Sequence, residues 1–102
     1  MNANNKYLMA CKVFNKVDFY KRKSTQMKYL QIAKTLIEDC LKEQPKDFES
    51  WYLLGLIWYW FPRETQSRDK NCEKALKKAI KFKSDDDWSN MYLGYLYFDQ
   101  RK

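Results

Sequence analysis

A chain of 102 residues with two glycines, two prolines and no histidine can hold one modest core, and it is too poor in turn signals for a β-sandwich or barrel. Lysine and arginine outnumber aspartate and glutamate by 20 to 13, a net charge of +7, with ten basic against five acidic residues in 1–47 and ten against eight in 48–102. That balance permits nucleic acid, an anionic surface or an acidic protein as partner, although solvation of lysine-rich helix faces is its plainest reading.

The opening MNANNKYLMACKVFNK has no apolar run of signal-peptide length and no small-residue cleavage site. No other stretch is long and apolar enough to span a bilayer. Cys11, Cys40 and Cys72 form no C-x-x-C pair, and three is an odd number, so no disulfide framework is expected. A reducing cytoplasm is the expected location.

In chain order, Tyr7, Ala10, Cys11, Phe14 and Val17 are spaced three and four apart and predict a helix over residues 7–20. The polar cluster Lys21, Arg22, Lys23, Ser24 and Thr25 follows, with Ser24 or Thr25 as the expected N-cap of a second helix. That helix runs to about Glu43 on a stripe of Met27, Leu30, Ala33, Leu36, Ile37, Cys40 and Leu41. Pro45 ends it, and Asp47 caps a third helix from about 48 to 61, which Pro62 stops. Residues 51–61 read WYLLGLIWYWF without one charged side chain, so this helix is expected to be covered on every side. Residues 63–71 are polar and read as a loop or frayed start. A fourth helix then carries Cys72, Ala75, Leu76, Ala79 and Ile80 on one face. Asp85, Asp86 and Asp87 supply a cap and favourable charge for a fifth helix, whose expected stripe is Trp88, Met91, Leu93, Gly94 and Tyr97.

Laid on itself, the chain repeats. Trp51-x-x-Leu54-Gly55-x-x-Trp58 is matched by Asn90-x-x-Leu93-Gly94-x-x-Tyr97, and more loosely by Tyr7-x-x-Ala10-Cys11-x-x-Phe14. Between them, Ala33, Ile37, Cys40 and Pro45 have the spacing of Cys72, Leu76, Ala79 and Ser84. Small residues let a neighbouring helix approach, and the bulky one a turn away fills the next gap. The pattern resembles the tetratricopeptide repeat family. That resemblance implies an all-α fold, a right-handed α-α superhelix of antiparallel helix hairpins with about five helices. It further implies one domain, divided into repeat 1 (about 4–47), repeat 2 (about 48–86) and a capping or half repeat (87–102). The match departs from the family in spacing: Gly55 to Gly94 spans 39 residues, against about 34 in the family. Extra residues also lie around 19–26, Asn90 stands for an aromatic and Ser84 for the proline.

Without histidine the chain lacks the commonest general base and metal ligand. Each cysteine lies on the apolar stripe of a different helix and reads as a small core residue. The only glycines, Gly55 and Gly94, are both read as packing glycines, so no phosphate-binding loop is present. Neither a catalytic centre nor a cofactor nor a metal is expected.

Two features point to binding. In the family resembled, leftover faces of the first helices line a concave groove. Here those positions are Leu8, Lys12, Asn15 and Lys16, then Glu49, Tyr52, Leu56, Tyr59 and Trp60, then Trp88, Met91, Tyr95 and Phe98. Aromatics there resemble interface anchors, whereas the plain alternative makes them core. The family's clamp for acidic chaperone C-termini needs Lys, Asn and Arg at set positions. Only Lys12 and Lys16 approach it, which disfavours that partner. The second feature is Lys74, Lys77, Lys78 and Lys81 on one helix face with Lys70 and Lys83 beside it, and a further cluster of Lys21, Arg22, Lys23 and Lys28. Such stripes can neutralise phosphates but are ordinary on solvated faces.

The leading expectation is a non-catalytic protein-protein interaction module that holds a peptide or helix in an aromatic groove. One version is an immunity or antitoxin-type inhibitor, whose positive charge suits an acidic toxin surface. A homodimer or a subunit of a longer repeat array are others. RNA or DNA binding through the lysine faces is the alternative.

Overall fold

Five helices, and no strand, make up residues 2–17 and 22–100, the residues that the computed structural model describes. They fall into two units, residues 1–45 and 46–102.

The first unit is a helical hairpin. α1 (Ala3–Asn15) begins earlier than the apolar spacing predicts, because the Asn2 side chain accepts a hydrogen bond from the Asn5 amide at 2.9 Å. It also ends earlier. The amides of Lys16 and Val17 turn back to the carbonyls of Val13 and Phe14, both at 3.0 Å, so Val17 lies beyond the helix. The expected continuation through 18–20 lies outside the described residues, as does Lys21 of the basic cluster. α2 (Lys23–Glu43) starts without the expected Ser24 or Thr25 cap. Its first turn is closed by backbone alone, the Arg22 carbonyl accepting from the Thr25 and Gln26 amides at 3.0 and 3.1 Å. Leu30, Ala33, Ile37, Cys40 and Leu41 are buried as their spacing requires, opposite Ala3 and Ala10 of α1. Cys40 Sγ lies 3.4 Å from the Ala3 carbonyl, and Lys6 pairs with Glu43 at 3.2 Å. That exposed ion pair contributes at most about 1 kcal/mol, so the hairpin rests on its apolar stripe.

The second unit holds α3 (Phe48–Trp60), α4 (Arg68–Phe82) and α5 (Asp87–Gln100). α4 packs most extensively on α3, and α5 lies mainly against α4. α3 ends where Phe61, extended before Pro62, leaves the helix. Four residues of the stretch expected as a loop or frayed start, Arg68, Asp69, Lys70 and Asn71, form the first turn of α4. Arg68 explains this. Its guanidinium is buried, donates to the Tyr59 carbonyl at the end of α3 and pairs with Asp69 at 2.7 Å. A helix C-terminus leaves carbonyls without intrahelical partners, and a cation suits them. Ser67, just before α4, has φ 60°, the left-handed conformation that favours glycine.

The core of this unit is Cys72, Leu76 and Leu96, with Tyr52, Trp58, Tyr59, Tyr92 and Leu93 packed around it. α3 is less enclosed than its composition suggests. Leu53, Leu54, Gly55 and Ile57 are buried, Trp51, Tyr52, Leu56, Trp58 and Tyr59 are half-buried, and Trp60 is exposed. The expected inner stripe of α5 is also displaced. Ser89 and Leu96 are buried with Tyr92 and Leu93 against the core, whereas Trp88, Gly94 and Tyr97 are exposed. α5 is apolar around much of its circumference, so periodicity alone does not choose its inner face.

The two glycines differ. A Cβ on Gly55 would lie 2.6 Å from Leu76 Cδ2 and 2.8 Å from its Cγ, so a side chain there collides with a fully buried leucine. A Cβ on Gly94 would meet nothing within 4 Å, so Gly94 is not the packing glycine its repeat position predicts.

Candidate functional site

The second unit places four of the nine predicted groove residues of the third and fifth helices, Tyr52, Tyr59, Trp60 and Tyr95, in one aromatic network. Tyr92, which the sequence does not single out, is its centre. Its ring stands edge-on to Tyr52 at 6.3 Å, to Tyr59 at 5.4 Å and to Tyr95 at 5.6 Å, and Tyr59 in turn meets Trp60 at 5.2 Å. Edge-to-face geometry of this kind aligns the positive rim of one ring with the negative face of the next. The network therefore runs without a break from Trp60 on α3 to Tyr95 on α5.

The predicted groove residues divide between core and surface. Tyr52 and Tyr59 are half-buried against the core, and Leu56 and Met91 are also half-buried. Trp60, Tyr95, Trp88 and Phe98 expose 40, 46, 61 and 72 % of their surface. Trp88, Met91, Tyr95 and Phe98 lie three or four residues apart, hence on one side of α5. Glu49 is exposed in the first turn of α3. Lys12 and Lys16 are exposed on α1 and its C-cap, in the first unit, where Lys12 joins Asn5, Leu8 and Met9 around an open groove of about 330 Å³.

Charged groups stiffen the inner side of the network. The Arg68 guanidinium lies 5.0 Å from the centre of the Tyr59 ring. The Tyr59 hydroxyl donates to Asp99 at 3.3 Å, and Asp99 also pairs with Arg63 at 3.0 Å. Burial first, and then Asp99, push the Tyr59 phenol above its ordinary range. Burial, with Tyr92 and Asp86 adding to it, raises Tyr52 to about 12. Arg63, Arg68, Asp69, Asp99 and Gln100 line a cleft of about 200 Å³ in which the four charges compensate one another. Neither Tyr52 nor Tyr59 ionises near neutrality, so both rings stay uncharged.

The predicted lysine stripe is less uniform than its spacing suggests. Lys78 is half-buried with its ammonium 5.9 Å from the centre of the Trp51 ring, and Lys83 covers Phe48 at 4.8 Å. Lys77 pairs with Glu73 at 3.8 Å, and Lys81 lies 5.7 Å from the Phe82 ring centre. The outward row on α4 is Lys70, Lys74, Lys77 and Lys81, with Lys78 turned onto α3. Of the other basic cluster, Arg22, Lys23 and Lys28 are exposed.

Cys40 and Cys72 are buried as expected and Cys11 is half-buried. Burial raises the Cys72 thiol to about 12, which makes it an inert core group. No group of three or more metal-ligating side chains occurs among the described residues, and no helix among them is long and apolar enough to cross a membrane. A comparison of the chain with protein-family models, with curated proteins and with solved structures finds no match in any of the three.

Proposed function

We propose that this chain is a non-catalytic protein-binding module whose contact surface is the aromatic side of α3 and α5. The observation that carries the reading is the run of exposed rings Trp60, Trp88, Tyr95 and Phe98, backed by the half-buried Tyr59–Tyr92 pair. Exposed aromatic patches of this kind mark interaction sites, and rigid rings make efficient anchors because few rotamers are lost on contact. The tetratricopeptide-like spacing supports the same reading, since helical-hairpin repeats bind through leftover helix faces. Lys78 is turned onto Trp51, which leaves the alternative, phosphate contact, to the exposed row Lys70, Lys74, Lys77 and Lys81.

The test is affinity capture from native lysate at physiological salt, with nuclease present, by the wild-type chain and by a Trp88→Ser, Phe98→Ser double variant. Both side chains are largely exposed, so the variant keeps its helicity by circular dichroism. A stoichiometric protein held by the wild type and lost by the variant is the expected result. Equal capture by both, or a partner set removed by nuclease, overturns the reading.

A further inference from the structure

The second unit shows what normally fills the face that α5 leaves open. α3 and α5 correspond at an offset of 39 residues, and the match extends to their caps: Asp47 accepts from the Ser50 hydroxyl as Asp86 accepts from that of Ser89, with both serines fully buried. On α3, the face containing Tyr52, Gly55, Trp58 and Tyr59 receives α4 as an antiparallel partner. Leu76 seats against Gly55, with Cys72 Sγ 3.4 Å from the Gly55 carbonyl. The same register on α5 gives Met91, Gly94, Tyr97 and Phe98. There Gly94 and Phe98 are exposed, and no atom occupies the space where a Gly94 Cβ would stand.

The charge at the N-terminal end of the face differs in one informative way. On α3, Phe48 and Trp51 are the rings beneath Lys83 and Lys78 of α4. At the corresponding positions α5 has Asp87 and Asn90, both exposed. A lysine near the C-terminal end of an incoming antiparallel helix thus meets a carboxylate at a helix N-terminus where α4's own lysines meet aromatic rings.

We propose, on the protein-binding reading above, that the open face of α5 takes an antiparallel amphipathic helix from a partner protein, with a leucine seated at Gly94 and a lysine or arginine near its C-terminal end beside Asp87. The occupant has the chemistry of α4: a small residue, three residues, then leucine, with basic residues beyond. Gly94 is what makes the seat, since any side chain there fills the notch without disturbing the fold.

The probe is a labelled peptide of residues 68–83 with Cys72→Ala, titrated into the intact protein by fluorescence anisotropy. Saturable binding is expected. Gly94→Leu, whose side chain enters open space, weakens it about tenfold or more, and Asp87→Asn weakens it several-fold and removes the salt dependence of that contact. A peptide carrying Leu76→Asp fails to bind. Absence of saturable binding, or affinity indifferent to Gly94→Leu in a protein whose melting temperature is not lowered, overturns the proposal. So does sedimentation equilibrium showing a wild-type dimer that Gly94→Leu dissociates, because a second copy then fills the seat. If a natural partner is captured through Trp88 and Phe98 but kept by Gly94→Leu, the helix seat falls and the binding module stands.

Discussion

Gly55 and Gly94 occupy one position of the repeat and have opposite physical roles. Gly55 is required by contact: Leu76 is fully buried and stands 2.6 Å from where a Cβ would sit, so it has little room to give. Gly55→Ala should therefore destabilise the protein by about 1–3 kcal/mol, the usual cost of overpacking. Gly94 faces open space in a helix interior, where glycine costs about 0.5–1 kcal/mol relative to alanine through backbone entropy. Gly94→Ala should stabilise by that amount. Urea unfolding of both variants checks the pair, and a loss of stability in Gly94→Ala would show that its face is covered. From sequence the two glycines read alike, because Trp51-x-x-Leu54-Gly55 and Asn90-x-x-Leu93-Gly94 share a spacing that does not say whether a neighbour is present.

Two helix boundaries were legible from local signals, whereas the Asn2 cap of α1 and the uncapped start of α2 were not. Pro62 ends α3, and the aspartate run begins α5 through one member, Asp86, which accepts from the Ser89 amide at 3.2 Å and from its hydroxyl. Its own carbonyl takes the Asn90 side-chain amide at 2.9 Å. Removing that cap as Asp86→Ala should cost about 1–2 kcal/mol, since a backbone donor loses its acceptor and the buried Ser89 hydroxyl is left without one. Thermal melts of Asp86→Ala, with Asp85→Ala and Asp87→Ala as exposed controls, test the assignment; equal losses in all three would mean only the summed charge matters. The D-x-x-S spacing shared by residues 47–50 and 86–89 was present in the sequence as a sharper repeat marker than the glycines. By contrast, the start of α4 was not legible. A polar stretch reads as loop or frayed start unless one knows that the Arg68 guanidinium reaches the Tyr59 carbonyl and Asp69, which is a tertiary fact.

At the scale of the whole molecule, all four tryptophans, Trp51, Trp58, Trp60 and Trp88, lie in the unit of residues 46–102, so tryptophan emission reports on that unit alone. The all-helical class followed from periodicity and the scarcity of glycine and proline. Which aromatics are core and which are surface did not follow, because α5 offers apolar side chains on nearly every face and only the positions of α3 and α4 select Tyr92 and Leu96 as inward. That selection has a pH signature. Burial raises Cys72 from 9.0 and Tyr52 from 10.0 to about 12, so folding holds both groups in the neutral form. The unfolded chain releases these protons first as pH rises. Their contribution to stability is therefore complete below about pH 9 and is lost progressively as pH approaches 12, with Tyr59, also raised by burial, acting in the same direction. The urea midpoint followed by tryptophan emission should fall steadily across that window. In Tyr52→Phe, which keeps the ring against Tyr92 but has no proton to release, the fall should be shallower. A midpoint unchanged between pH 9 and 12, or a Tyr52→Phe slope equal to that of the wild type, would place the Tyr52 hydroxyl in water and detach it from the aromatic network on which the proposed surface is built.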